Sequence, residues 1–169
     1  LEVIEAVEAL QGNIQEDVKN VVLELGSSML KLAGKGDNLE ENKRKMMLNI
    51  NDGRALEKFR ELVINQGGDV SYIDDLNKFN KAKYILNVKL EKEGMVKELK
   101  AEEVGKLSVF LGAGRMKKED KIEPEAGITL NSKVGNTVTK DQIVAYVYAN
   151  DEQKAKEGVK RLKEIYVLQ

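Results

Sequence analysis

The stretch Tyr84-Ile85-Leu86-Asn87-Val88-Lys89-Leu90-Glu91 decides the fold class. Tyr84, Leu86, Val88 and Leu90 alternate with Ile85, Asn87, Lys89 and Glu91. A period of two puts successive side chains on opposite faces, the pattern of a half-buried strand. Before this stretch the apolar residues recur at helical spacing; after it, strand-like runs alternate with helical ones. The expected class is therefore α+β: a helical segment over residues 1–80, then a small mixed-sheet α/β module over residues 81–169.

Working back from Tyr84, residues 69–81 are polar and turn-rich and read as a connector. Asp52 is expected to cap a helix lined by Ala55, Leu56, Phe59, Leu62 and Val63, which Gly67-Gly68 stops. Asp37 with Glu40 suggests the cap of a helix from Leu39 to about Ile50. Asn13 with Glu16 suggests another, whose apolar face is Val18, Val22, Leu25, Met29 and Leu32. All these apolar positions are expected to pack inward. The first residues, Leu1 to Leu10, are already helical in pattern, with Val3, Ile4, Val7 and Leu10 on one stripe. No cap residue or initiator Met precedes them, so the helix is expected to be cut from a longer chain.

Forward from Glu91, Met95 to Leu99 reads as a strand and Ala101 to Leu111 as a short helix that Gly112-Ala113-Gly114-Arg115 breaks. Gly127 to Leu130 and Val138 to Tyr148 supply further strands, with a turn near Gly135-Asn136. A last helix runs from about Asp151 to Lys163, with Ala155, Val159 and Leu162 inward. Glu152 with Lys156 and Glu157 with Arg161 form i, i+4 pairs on its wet side.

Composition narrows the chemistry. Hydrophobic residues are 41% and charged residues 34% of the 169, so the chain is long and apolar enough to bury a core. No apolar run approaches the roughly 20 residues of a membrane helix. A net charge of -1, with acids and lysines interspersed, argues against nucleic acid as a partner. There is no His and no Cys, so these residues provide no imidazole base, no thiolate and no histidine or cysteine metal ligand.

Three places invite a functional reading. Arg115 and Lys117 sit in or beside the glycine-rich loop, where backbone amides and cations could receive an anion; outside a strand-turn-helix context a plain turn is the favoured reading of the loop. Glu2, Glu5 and Glu8 share a broad face of the first helix, where one could meet a cation or all could simply be solvated. The glycine turn, strand, polar turn and strand from Val134 to Ala145 look like the β unit of biotinyl and lipoyl carriers, with Met116-Lys117 the nearest counterpart of their modified lysine. A protein-interaction module is the remaining alternative.

Leu1-Glu2-Val3-Ile4-Glu5-Ala6, Glu16-Asp17-Val18, Leu23-Glu24-Leu25-Gly26 and Gly53-Arg54-Ala55-Leu56-Glu57-Lys58-Phe59 open an ordered series. Gln66-Gly67-Gly68-Asp69, Leu111-Gly112-Ala113-Gly114-Arg115, Lys118-Glu119-Asp120-Lys121-Ile122 and Gly127-Ile128 continue it, and Val134-Gly135 and Tyr148-Ala149-Asn150-Asp151 complete it. In this order they resemble the carboxy-terminal part of the thymidine and pyrimidine-nucleoside phosphorylase family. The resemblance implies that residues 1–80 are the helical tail end of the enzyme's large domain and residues 81–169 an α/β-hammerhead-like terminal module, in a cytoplasmic, homodimeric pentosyltransferase. Such an enzyme cleaves thymidine, uridine or deoxyuridine with inorganic phosphate, giving free base and (deoxy)ribose 1-phosphate. It also implies that the phosphate- and base-contacting residues lie upstream of Leu1, so no residue here is assigned a catalytic role and the chain alone is expected to be inactive. The parent enzyme is expected to bind potassium with Glu5 as one ligand; no cofactor is expected on this segment alone. Asn13-Ile14-Gln15 departs from the family's Gly-Pro helix entry, and Lys133 stands where a more basic stretch is common.

Overall fold

A computed structural model describes residues 1–169. Its contacts group into two compact units, Glu2–Lys78 and Phe79–Gln169, with Leu1 belonging to the second.

The first unit is helical: α1 (Glu2–Leu10), α2 (Glu16–Leu32), α3 (Leu39–Asn51), α4 (Arg54–Asn65) and the single turn α5 (Ser71–Asp74), followed by a 3-10 turn over Leu76–Lys78. α2 packs on α3, α3 on α4, and α1 on α4. Two caps differ from the sequence expectation. α2 starts after Gln15 with no side-chain cap, and at α3 it is Asn38, not Asp37, whose side chain accepts from the Glu41 amide at 3.0 Å. Asn38 is extended, the backbone state that turns a side-chain oxygen back onto the first free amides. Asp52 does serve α4, accepting from the Arg54 amide at 3.1 Å.

Inward packing of every apolar helical position is overturned. Val7 is buried, but Val3, Val22, Leu25, Met29, Leu32 and Leu62 are exposed. α2 instead meets α3 at Gly26, which lies against Met46, and at the buried Ser27, whose carbonyl accepts from Asn42 at 3.2 Å. Small residues let the two helices approach closely: a Cβ on Gly26 would collide with the end of the Met46 side chain.

The second unit contains β1 (Tyr84–Lys89), β2 (Gly94–Leu99), α6 (Ala101–Ser108), a π-turn over Val109–Ala113, β3 (Gly127–Leu130), β4 (Thr137–Val138), β5 (Ile143–Ala149), α7 (Glu152–Ile165) and β6 (Tyr166–Leu168). The strands form two three-stranded sheets, ordered β1-β5-β3 and β4-β2-β6, and all pairings are antiparallel. β1 keeps the expected alternation, its even-numbered side chains covered and its odd ones exposed. The strand, polar turn and strand expected from Val134 to Ala145 are present as β4 and β5, with Thr139 to Gln142 turning back between them through Asp141 at φ 69°. β6 has no counterpart in the sequence expectation; three residues at a helix end carry too short a pattern to read.

α7 packs over β1 and β5 and against α6 and the π-turn. Ala155, Gly158, Leu162 and Ile165 are its buried face. Gly158 marks a close contact, since a Cβ there would come within 2.9 Å of Leu111 and 3.0 Å of Val147. Both expected surface pairs form, Lys156 to Glu152 at 2.6 Å and Arg161 to Glu157 at 2.8 Å. Arg161 also lies 4.3 Å from the centre of the Phe110 ring, so its guanidinium roofs the end of the core. Beneath, Tyr166 donates its hydroxyl to the carbonyls of Ser132 (2.8 Å) and Val144 (3.2 Å), and burial pushes the pKa of that hydroxyl up to about 12.

Candidate functional site

The glycine loop begins where the π-turn ends. Gly112 has φ 119°, a left-handed value that side chains resist, and it is buried against Glu123 and Ala126. Its carbonyl accepts from the Glu123 amide at 2.9 Å, closing the loop at its base. Gly114 is extended, and a Cβ on it would meet Val109 at 2.8 Å. The sequence Gly-Ala-Gly is thus required by close approach of the chain to itself, before any ligand is considered.

Beyond Gly114 the loop is wet. Met116, Lys117 and Lys118 are exposed, as is Arg115. One oxygen of Asp120 accepts from the amides of Met116 (3.0 Å) and Lys117 (2.9 Å), while the Asp120 amide donates to the Lys117 carbonyl at 3.1 Å. This arrangement bears directly on anion binding. Two amides that could have received an external anion already hold an internal carboxylate, leaving Arg115 and Lys117 as side-chain donors only. Sequence reading found the glycines and cations but missed the work of Asp120, because an Asp that follows the amides it serves reverses the usual Asx-turn order, in which the side chain accepts from an amide two residues further on.

Replacing Asp120 with Ala should open this tip. We expect amide exchange at Met116 and Lys117 to accelerate about tenfold while the core amides of β5 keep their protection, because the lost bonds are local. Unchanged exchange at both amides would show that the carboxylate does not hold the loop.

The chain leaving the loop is pinned by Asn150, the residue after β5. Its Nδ2 donates to Glu125 at 2.8 Å and its Oδ1 accepts from the Lys83 amide at 3.1 Å. The Asn150 hydrogen bond holds the Glu125 carboxyl below its usual value, assisted by a bond to its own backbone and by the charge of Lys121. Between these, Glu123 has one buried carboxylate oxygen without a hydrogen-bond partner.

The other sequence candidates stand apart. Glu5 lies exposed on α1, and no group of three or more acidic side chains gathers as a metal cage. A single exposed carboxylate does not fit a site for a potassium ion by itself. Lys117 lies in the loop rather than at a tip between paired strands, so the carrier reading lacks its hairpin. No helix is long and apolar enough to cross a membrane. The adjacent acids Asp74-Asp75, Glu102-Glu103 and Glu119-Asp120 are all exposed.

Residues 95–169 match the family described as the pyrimidine nucleoside phosphorylase C-terminal domain. Over 152 residues the chain is 44% identical to the pyrimidine-nucleoside phosphorylase of Bacillus subtilis, covering 90% of this chain and 35% of that protein. It is 40% identical over 153 residues to that of Geobacillus stearothermophilus, covering 90% and 35%. With that of Staphylococcus aureus it shares 40% over 162 residues, covering 96% and 37%. The chain therefore spans little more than a third of the length of the curated relatives it matches.

Proposed function

We propose that this chain, whose residues 95–169 match the pyrimidine nucleoside phosphorylase C-terminal domain, is the carboxy-terminal part of an enzyme that cleaves pyrimidine nucleosides with phosphate. The observation that carries the reading is identity of 40–44% extending over nine-tenths or more of the chain, through both the helical unit and the module. An oxygen of inorganic phosphate attacks the anomeric carbon of uridine, thymidine or deoxyuridine. The carbon–nitrogen bond breaks, its electron pair leaves with the base, which takes up a proton, and (deoxy)ribose 1-phosphate remains. Catalysis of this kind needs a held dianion in line with the bond and donors aimed at the charge developing on the base.

Within the longer, homodimeric enzyme these 169 residues take a structural and positional role, and the phosphate- and base-contacting groups come from the rest of it. Glu5 contributes one oxygen toward a potassium ion whose remaining ligands come from elsewhere in that enzyme. Arg115 and Lys117 are the anion-attracting side chains of the module.

The test is release of uracil and thymine from uridine and thymidine, with and without phosphate, by a protein of the relatives' length, with the 169-residue chain as control. We expect phosphate-dependent release by the long protein and none by the short one. A long protein without activity would defeat the assignment, and turnover by the short chain would show that its residues include the reaction centre.

A further inference from the structure

In the second unit the last turns of α7, strand β6 and the turn between β1 and β2 line a groove of about 560 Å³. Its apolar lining is Leu90, Val167 and Leu168. This lining is held in place from behind. β6 is fixed on β2 by the Met95 and Gln169 amides, each donating to the other's carbonyl at 3.0 Å, and the Tyr166 hydroxyl is tied to two carbonyls. A preformed concavity of this volume is of the size that takes small molecules. Charge along α7 is unevenly used. Lys156 pairs with Glu152 and Arg161 with Glu157, yet the ammonium groups of Lys160 and Lys163, one turn apart on the groove, have no ion-pair partner. Lys92 adds a third unpaired ammonium from the turn. Glu91 and Glu164 are the carboxylates of the lining, so three cations and two anions leave it a net charge of +1.

We propose that this groove binds a small organic monoanion, a carboxylate or sulfonate that carries an apolar body. The body lies on Leu90, Val167 and Leu168 and along the lysine stems, which are themselves apolar up to the ammonium. Lys160 and Lys163 meet the charge, since neither has to give up an internal partner to do so. The two carboxylates set the selectivity. They offset two of the three cations and repel further negative charge, so a single charge is favoured over a phosphate dianion. An anion without an apolar body forgoes the lining and is held only by exposed ammonium groups, which water screens.

Anilinonaphthalene sulfonate is such a monoanion, and its fluorescence reports its own binding. Titrated into the protein of the relatives' length, it should bind saturably with a Kd below about 100 µM. Lys160→Gln/Lys163→Gln keeps the stems and removes two charges, and should weaken binding about tenfold. Lys156→Gln, on the same helix but paired with Glu152, should leave it unchanged. Neutral phenylnaphthylamine keeps the ring body without the sulfonate, so its binding should not distinguish the double variant from the parent. Excess inorganic phosphate at matched ionic strength should leave the sulfonate bound. Absence of saturable binding would overturn the proposal, and so would a double variant that binds the sulfonate as tightly as the parent. Equal loss of the neutral probe in that variant would show that the lysines shape the groove rather than hold an anion. Displacement by phosphate would place the probe where the proposed reaction takes its phosphate, and would defeat the groove while leaving the phosphorylase reading intact.

Discussion

Leu162→Ala is expected to destabilise the second unit by about 2–5 kcal/mol, the range for deleting a fully buried leucine side chain. Leu162 has no exposed surface and belongs to the same core cluster as Val88, Leu111 and Val147. Its helix packs over β1 and β5, so truncation removes contacts to the sheet that no local rearrangement of α7 restores. The alternative, collapse of neighbours into the space, is limited because Gly158 already brings α7 against Leu111 and Val147. Domains of this size are stable by only about 5–15 kcal/mol, so such a loss should move the urea midpoint far down. Tyrosine fluorescence suits the measurement, since four of the five tyrosines, Tyr84, Tyr146, Tyr148 and Tyr166, lie in this unit. Val134→Ala is the control: at 59% exposure it should change stability by less than about 0.5 kcal/mol. Equal midpoints for the two variants would mean that α7 is not docked on the sheet.

Leu162 also belongs to the part of the fold that is legible in the amino-acid sequence. The alternation from Tyr84 to Leu90, the inward face of α7 and its two ion pairs can be read there because each depends on residues within one element. A strand has only two faces and a short amphipathic helix one apolar side. The helices of the first unit are harder. α2 carries apolar residues on more than one side, and periodicity does not say which side meets α3. The contact forms at Gly26 and Ser27, since two helices pack closest where side chains are smallest, and Leu25 and Met29 stay outside. Caps shift by one or two residues for a related reason: Asp37 and Asn38 are both good caps by type, and backbone geometry decides between them. In the loop, glycines and cations are visible as composition, whereas the work of Asp120 and Asn150 depends on which amides the fold delivers to them.

In the helical unit the most consequential single polar residue is Asn42, and Asn42→Asp is expected to be more damaging than Asn42→Ala. Asn42 is fully buried, and its Nδ2 donates to the carbonyls of Ser27 at 3.2 Å and Gly36 at 2.9 Å. Those two bonds tie the first turn of α3 to the body of α2 and to the turn between them. Alanine removes both donors and leaves a small void, but it also removes the Asn42 Oδ1, which is buried without a partner. The net cost should be about 1–3 kcal/mol. Aspartate is nearly the same size and fills the space, yet once ionised it offers only acceptors to two carbonyl oxygens. A buried carboxylate facing acceptors holds its proton, so its carboxyl in the folded chain should sit above the value of about 3.9 that it has unfolded. The sign then follows: between those two values the folded state binds the extra proton, and stability falls as pH rises through that window. Asn42→Asp should therefore approach Asn42→Ala near the unfolded carboxyl value of roughly pH 4 and fall progressively below it toward neutrality, as charge is forced into the contact. Far-UV circular dichroism during urea unfolding at the two pH values reads this from the helices themselves. A constant gap between the variants across that range would show that position 42 is open to water and that the α2–α3 contact is looser than the distances imply.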